Sequence, residues 1–492
     1  MRADQSRTVA LNQAFYRLLK DGGQFYLLGP NIQQVPDGLE EKLRCSFYPT
    51  RFSTVVVETV FAPKNEDSIQ RLVSVAKTLN DPTLIFCSAP EKVNQLARAL
   101  MEAGVGPPAP DQREASEWIG VNYHKDWIYG LALGHGIGVH HGRLPRSLAQ
   151  YTVRAFNEGK LRFLICTSTL IEGVNTAAKN VVIFDSKISR SPIDYFTFNN
   201  IKGRSGRMFR HFVGRVILFH DPPREQLPFV DFPTLTQEES TPTALLIQME
   251  ASDLTERSKD RVEPFEDNKA LSLNILKSSP SIDPAAQIAL AEHIEENANS
   301  YWPDLAWNAF PTYAQQTFAC KLVWNYLLEG SKKRGVASAS QLSYKISQLH
   351  RVPSIAKRVA NELDPNNKWK AESADEAVER VLQFERNWAG FEFPRLLMAL
   401  SRIQAAVLTR LQLPCGDYRL FASQVESAFR GAVVAALDEY GIPVPVGSKL
   451  ETHLRTKTDL DIAISNLKEL NLDRIKLAPF ERELVRDAQS AL

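Results

Sequence analysis

The chain has 492 residues, enough for two to four domains, each with its own core. Its 58 Lys and Arg against 57 Asp and Glu leave a formal charge of +1, which excludes a polycation that holds nucleic acid by bulk charge; such contacts would need local placement of charge. Five cysteines without a C-x-x-C pair point to reduced thiols in a cytoplasmic protein, and neither a run of about 18 apolar residues nor a signal-peptide layout is present.

In chain order, Leu11–Lys20 has helical spacing, and Gly22-Gly23 ends it with the permissive backbone of a helix C-terminus. Gln24-Phe25-Tyr26-Leu27-Leu28 is an apolar strand candidate running into Gly29-Pro30-Asn31, and Thr54–Thr59 is β-rich. Glu66–Thr78 is amphipathic, with Ile69, Leu72, Val73, Val75 and Ala76 at near-helical spacing, and Asp81-Pro82 breaks it. Thr83–Cys87 is a buried strand, followed by Ser88 and by a helix carrying Val93, Leu96, Ala97 and Leu100, with Pro90 near its first turn. Gly136–Gly142 contains the adjacent His140 and His141 and leads through Leu144-Pro145-Arg146 to a helix from Pro145 to Asn157. No Cys, His or carboxylate follows at zinc-like spacing, so the paired histidines read as turn residues and no metal site is expected.

Two stretches carry the chemistry. Thr167-Ser168-Thr169-Leu170-Ile171-Glu172-Gly173-Val174-Asn175 lies between the apolar strands Phe163–Cys166 and Val181–Asp185, and hydroxyls with a glycine at the mouth of a parallel sheet mark a ligand crevice. Thr167, Ser168 and Thr169 can donate to phosphates, and Gly173 permits a close approach. Thr169 also suits an N-cap, with Glu172 completing a capping box; the two roles are compatible, because a capped helix N-terminus is itself a phosphate site. Ile201-Lys202-Gly203-Arg204-Ser205-Gly206-Arg207 begins as a helix, and the spacing of Arg204 and Arg207 places both guanidiniums on one face, where planar forks suit phosphate oxygens. Phe212–Phe219 is a closing strand, and Asp221-Pro222-Pro223 ends the domain. Apolar strands alternating with helices predict an α/β fold, a parallel sheet covered on both faces.

Together these stretches resemble motifs V and VI of the superfamily 2 helicases, and the Thr-Ser-Thr-Leu-x-x-Gly-Val-Asn wording is most similar to the Ski2-like branch. The resemblance is specific over 66–222 and looser over 11–60. It implies a RecA-like parallel sheet domain of the P-loop NTPase type, the second lobe of such an enzyme, at 66–222. Residues 1–65 would be the remnant of a first RecA-like domain and a linker that includes Thr54–Thr59. Gly29-Pro30-Asn31 would stand where motif III falls, in place of the usual Ser-Ala-Thr.

By the same resemblance Arg207 is the arginine finger and Arg204 its companion at the γ-phosphate, the catalytic pair. Gly173, Asn175, Asn200 and Gly203 would face the nucleotide, with Asn200 a shorter amide than the family's Gln. Ser88 after the motif IV strand, then His141, Gly142, Arg143, Thr167, Ser168 and Thr169, would face the nucleic-acid backbone. The implied cofactors are ATP and Mg2+. The sequence contains no G-x-x-x-x-G-K-[ST] and no Asp-Glu-x-[His/Asp] at the end of an apolar strand. The loop that cradles phosphates and the carboxylate that holds magnesium would have to come with an upstream segment or a second chain, and the chain alone is expected to be inactive.

Beyond residue 223 helix formers take over, giving a linker and helical region at 223–335 with Leu271–Leu276, Ala285–Glu295 and Phe318–Leu328 helical by spacing. Ser338–Ile346 and Pro353–Val359, with Lys332-Lys333-Arg334 upstream, suit a helix-turn-helix of the winged-helix type within 336–400. The resemblance places a winged helix after the second lobe and a helical bundle after that, here 401–492. Val425, Phe429, Val433 and Leu437 form one apolar stripe ended by Tyr440-Gly441, and Leu454–Leu470 adds a helix. Trp302, Trp307 and Trp388 read as core or lid residues of a bundle, with base stacking the other reading.

The implied function is the C-terminal portion of an ATP-dependent helicase or translocase that moves on single-stranded DNA or RNA through backbone contacts, in DNA repair or in antiviral defence beside a nuclease. The reading from another class is a non-catalytic nucleic-acid-binding or scaffold subunit that keeps a RecA-like lobe as a platform. Arg204 and Arg207 favour the first reading; the missing phosphate loop favours the second.

Overall fold

Short runs of Val, Ile, Leu and Phe, buried from end to end, form the centre of an all-parallel sheet. The computed structural model describes residues 5–20, 24–26, 40–41, 44–48, 56–63, 67–106, 108–170, 176, 178–188, 191–205, 213–225, 233–266, 268–328 and 335–492. Its strands β1 (Val56–Phe61), β2 (Thr83–Phe86), β3 (Ile137–His140), β4 (Phe163–Cys166), β5 (Asn180–Ile183) and β6 (Val213–Leu218) lie in the order β1-β6-β5-β2-β4-β3. Every neighbouring pair is parallel. Phe86 stands opposite Cys166 on one side and Ile183 on the other, and His140 stands opposite Cys166, so the carboxyl ends of β2 to β5 finish level along one edge.

Helices α1 (Ser68–Thr78), α2 (Pro90–Glu102), α3 (Arg113–Asn122), α4 (Ile128–Leu133), α5 (Arg146–Asn157) and α6 (Tyr195–Lys202) connect and flank these strands. Each starts and packs for a local reason. Asp67 caps α1 by accepting from the Ile69 amide, Pro90 occupies the first turn of α2, and Asp194 caps α6 by accepting from the Thr197 amide. On α2 the stripe Val93, Leu96, Ala97 and Leu100 is buried, and on α5 Leu148, Tyr151, Thr152, Ala155 and Phe156 are. Full burial of such aliphatic and aromatic side chains contributes about 1.5–3 kcal/mol each.

Packing divides the chain into two units, each discontinuous in sequence. The sheet-bearing unit comprises 50–228, 352–383 and 430–492, so helices α7 (Ile355–Leu363), α8 (Ala374–Gln383), α9 (Leu460–Lys468) and α10 (Pro479–Ala491) belong with the sheet. Helix α10 is fixed to α3 and α5 by a buried carboxylate and aromatic contacts. Glu481 accepts from Trp118 Nε1 at 2.7 Å and from Lys449 Nζ at 2.7 and 2.8 Å, while Phe480 packs against Trp118 and edge-on against Tyr151.

The other unit, 1–49, 229–351 and 384–429, is helical. Its core includes Trp388, Phe393, Leu396 and Leu400, and two π-helical stretches, Val323–Leu327 and Phe384–Glu392, face each other through stacked Trp324 and Trp388. Trp307 is buried and stacks on Tyr418 at 3.8 Å between ring centres, so Trp307 and Trp388 are core residues; Trp302 is half-buried.

Four local expectations change. Thr54–Thr59 was expected to link two lobes, but its β-branched residues from Val56 onward pair with β6 as the edge strand of the sheet. Of the strand expected at 24–28, residues 24–26 join no sheet, Tyr26 is 90% exposed and Phe25 packs edge-on against Phe15; Leu27 and Leu28 lie outside the described residues. The two helices expected to form a helix-turn-helix, Ala339–Arg351 and α7, fall in different units, and 336–400 contains no strand. The stripe Val425–Leu437 is not one helix: Ala428 and Phe429 adopt positive φ, splitting Arg419–Glu426 from Ala432–Ala436, and the chain passes from one unit to the other there. Among the described residues no helix is long and apolar enough to cross a membrane.

Gly138, inside β3, marks the closest packing beneath α5. A Cβ there would lie 2.7 Å from Thr152 Cγ2 and 3.1 Å from the methyls of both Leu161 and Leu164. Gly138→Ala is therefore expected to overpack the site and destabilise the sheet unit by about 1–3 kcal/mol. Urea denaturation followed by circular dichroism checks this, and an unchanged midpoint would show that these neighbours yield without cost.

Candidate functional site

The consecutive strands β4 and β5 flank β2 on opposite sides, so the direction of the connections reverses there. In open α/β sheets the crevice beside such a reversal is where ligands bind. Three segments meet along this edge: the turn after β3, the hydroxyl loop after β4, and the end of β2. Ser88, just past β2, donates its amide to Asp185 Oδ2 at 2.7 Å beyond β5, which ties the two sides of the crevice together.

The Thr167 amide donates to the His140 carbonyl at 3.2 Å, and the Thr167 and Thr169 hydroxyls are 3.0 Å apart. Ser168–Leu170 is a single 3-10 turn with Thr169 inside it, so Thr169 does not take the N-cap position the sequence suggested. Thr167 is buried, Ser168 partly so, and Thr169 exposed. A Cβ on Gly142 would stand 3.0 Å from Thr169 Cγ2, so the turn after β3 and the hydroxyl loop touch at that glycine.

His140 and His141 are both buried. Burial, then the nearby Arg146, pushes His140 down to about 4. Burial, then Arg143 and His140, pushes His141 down to about 3. His141 Nδ1 accepts from the Arg143 amide at 3.3 Å, and its Nε2 lies 3.9 Å from Glu379 Oε1; with the ring neutral, that approach is not an ion pair. Arg143 donates through Nη1 to Glu91 and to Glu379. Burial works against the charge on Arg143, but the bonds to Glu379 and Glu91 outweigh it and its value lies above the usual one. Burial raises the Glu379 carboxyl against the pull of Arg143 and Asn94.

On the arginine segment, α6 ends at Lys202, where Gly203 serves as C-cap and donates to the Asn199 carbonyl at 2.8 Å. Arg204 therefore lies in the turn after the helix rather than on its face, with its amide donating to the Ile201 carbonyl at 3.0 Å. Burial lowers the Arg204 guanidinium, and Cys166 at the end of β4 opposes the shift, which puts Arg204 within electrostatic reach of the crevice. Asn200 is half-buried on α6. Gly173, Asn175 and Arg207 lie outside the described residues. The structure thus brings together Ser88, His141, Gly142, Arg143, Thr167, Ser168, Thr169 and Arg204 along one edge.

Sequence reasoning did not single out Glu379, Asn94 or Asp438. Asp438 caps α5 from a distance, accepting from the Arg146 amide at 2.9 Å and from the Ser147 amide and hydroxyl at 3.4 and 2.5 Å. Nothing near these residues in sequence marks them, because each acts on a partner more than two hundred positions away.

The pattern of the helicase conserved C-terminal domain matches residues 117–216. The chain is 30% identical over 139 residues to the ATP-dependent DNA helicase Hel308 of Thermoplasma volcanium, covering 27% of this chain and 20% of that protein. These likenesses support assignment to the Ski2-like branch of the superfamily 2 helicases. Other relatives extend the likeness. The chain is 33% identical over 471 residues to anti-bacteriophage protein B of Escherichia coli strain K12, covering 93% of this chain and 64% of that protein. It is 36% identical over 83 residues to mouse DNA polymerase theta, covering 17% of this chain and 3% of that protein. It thus spans less than two thirds of each of these proteins.

The buried histidines give the sheet-bearing unit an acid limit. Their folded values lie below the ordinary imidazole value of about 6.5, so the stability tied to their neutral state is intact above that pH. It is lost as pH falls from there towards about 4 for His140 and about 3 for His141. Urea midpoints measured between neutral and mildly acid pH are expected to fall over this window. Replacing His140 and His141 together by Gln should flatten the fall, and an equal slope in the double variant would assign it to other groups.

Proposed function

We propose that this chain is the second RecA-like lobe and C-terminal region of an ATP-driven translocase that grips single-stranded nucleic acid through its phosphates. The observation that carries the reading is the contact between Gly142 and Thr169 at the carboxyl edge, with Arg204 within electrostatic reach of Cys166 beside it. Thr169 is exposed and can meet a phosphate, while His141 is buried and shapes the turn from beneath. Phosphate contacts carry no sequence code, so the grip is sequence-independent.

Arg204 suits the γ-phosphate of ATP. Its planar guanidinium, in the turn that ends α6, has the shape that pairs with phosphate oxygens. Asn200 and Gly203 flank it, and Arg207, Gly173 and Asn175 are assigned to the same nucleotide by the family's motifs. Among the described residues no group of three or more His, Cys, Asp or Glu could hold a metal ion. The metal and phosphate loop are assigned to a further segment or second chain. The arginines stabilise charge that develops on the transferred phosphoryl group when the two halves close. The likeness to a protein named for anti-bacteriophage action supports a defence role, and a nuclease partner belongs to the same proposal.

Two measurements test the reading. Thr169→Ala and His141→Ala are expected to weaken single-strand binding alike across unrelated sequences, with the salt dependence little changed because neither removes a cationic phosphate contact; a loss confined to one sequence would contradict backbone recognition. The chain by itself is expected to show no ATP turnover. When it is combined with the segment that carries the phosphate loop, turnover should appear and fall by about 10³-fold or more in Arg204→Ala or Arg207→Ala. Turnover unaffected by both substitutions would remove the arginines from the site.

A further inference from the structure

Arg143 stands at the turn assigned to nucleic acid, yet what holds it comes from far along the chain. Its Nη1 donates to Glu91 Oε1 on α2 and to Glu379 Oε2 on α8, both at 2.6 Å. The other oxygen of Glu379 accepts from Asn94 Nδ2 at 2.8 Å, so both carboxylate oxygens are engaged, and Glu379 is only 7% exposed. Helix α8 is itself pinned to the sheet domain. Asp375 accepts from the Ile128 amide at 2.7 Å and pairs with Arg98, while Ala377, Val378, Val381 and Leu382 are buried.

With both acceptors on Nη1, the Nε–Nη2 edge of Arg143 has no partner among the described residues, and the side chain is 29% exposed. That edge is the one a phosphate takes through two parallel N–H···O bonds. Two carboxylates beside one arginine leave the cluster without net positive charge, so what it offers a phosphate is orientation rather than bulk attraction. Orientation has value because an arginine already fixed gives up little rotamer freedom on binding.

We propose that Glu379 is a positioning residue for nucleic-acid binding: with Asn94 behind it and Glu91 beside it, it holds Arg143 so that the Nε–Nη2 edge faces a phosphodiester of the bound single strand. Helix α8, more than two hundred residues beyond the turn, is then part of the binding site. The proposal rests on the reading of the turn as a nucleic-acid contact.

The test is fluorescence anisotropy of single-stranded DNA of unrelated sequences, titrated with the 492-residue chain over a salt series. Glu379→Ala is expected to weaken binding by about 2- to 10-fold, the scale of freezing one long side chain. It should also lower the slope of log affinity against log salt by about one, the change expected of Arg143→Ala. Glu379→Gln, which keeps an acceptor in place, should restore most of the loss, and Arg143→Ala with Glu379→Ala should bind no more weakly than Arg143→Ala alone. A purely structural role would give additive losses in that double variant, and a merely repulsive carboxylate would give tighter binding in Glu379→Ala; either result overturns the proposal, as does unchanged affinity. Should Glu379→Ala fail to fold, Asn94→Ala, which loosens Glu379 without removing it, is expected to show a smaller loss of the same kind, and none would overturn the proposal. If the unaltered chain binds no single strand, the reading of the turn falls and the proposal with it; if it binds and Glu379→Ala binds equally, only the proposal falls.

Discussion

A sheet whose strands all run the same way must begin every connection at one edge, and this constraint organises the molecule. The register makes the constraint sharp, because Phe86, His140, Cys166 and Ile183 finish at one level. Polar groups placed immediately after the strands are therefore neighbours in space whatever their distance in the chain. Ser88 and Asp185 meet in this way, as do Gly142 and Thr169, and Arg204 comes within reach of Cys166.

The second organising feature is the use of buried and half-buried carboxylates to attach late segments to the sheet domain. Glu379, Asp438 and Glu481 each come from beyond residue 370, and each satisfies several donors on the sheet domain. A buried carboxylate is tolerable only when its oxygens are taken up by such donors, and breaking one of these arrangements leaves the remaining group without compensation. Such contacts specify position more than they add stability. The α5 N-terminus, whose amides are held by Asp438, begins directly after the turn that carries His141 and Arg143, so the same docking that attaches the C-terminal helices steadies the turn.

Local features of the fold were legible. The apolar runs of β2, β4 and β5 and the stripes of α2 and α5 are consequences of side-chain periodicity, which local sequence displays. Departures occurred where a local pattern was compatible with two outcomes. The β-branched run at Thr54–Thr59 looks the same as a linker or as an edge strand, and only pairing with β6 decides. The spacing of Val425, Phe429, Val433 and Leu437 reads as one helix, yet positive φ at Ala428 and Phe429 turns the chain there, because the residues on either side pack into different units. Arg204 leaves the helical face for a similar reason, since Gly203 ends α6 one residue earlier.

By itself, the sequence determined the α/β class of 66–222, the polar residues that follow its strands, and the motifs that resemble those of Ski2-like helicases. All of these follow from interactions between residues close in the chain, whose spacing is written in the order of amino acids. Tertiary structure alone decided that His141 is buried and neutral, that Arg143 is held by two carboxylates, and that helices from beyond residue 350 belong with the sheet. The physical reason is that burial and pairing depend on which distant surfaces meet. A glutamate such as Glu379 has the same local surroundings in sequence whether it ends in solvent or beneath an arginine, and only the packing of α8 against the sheet domain distinguishes the two.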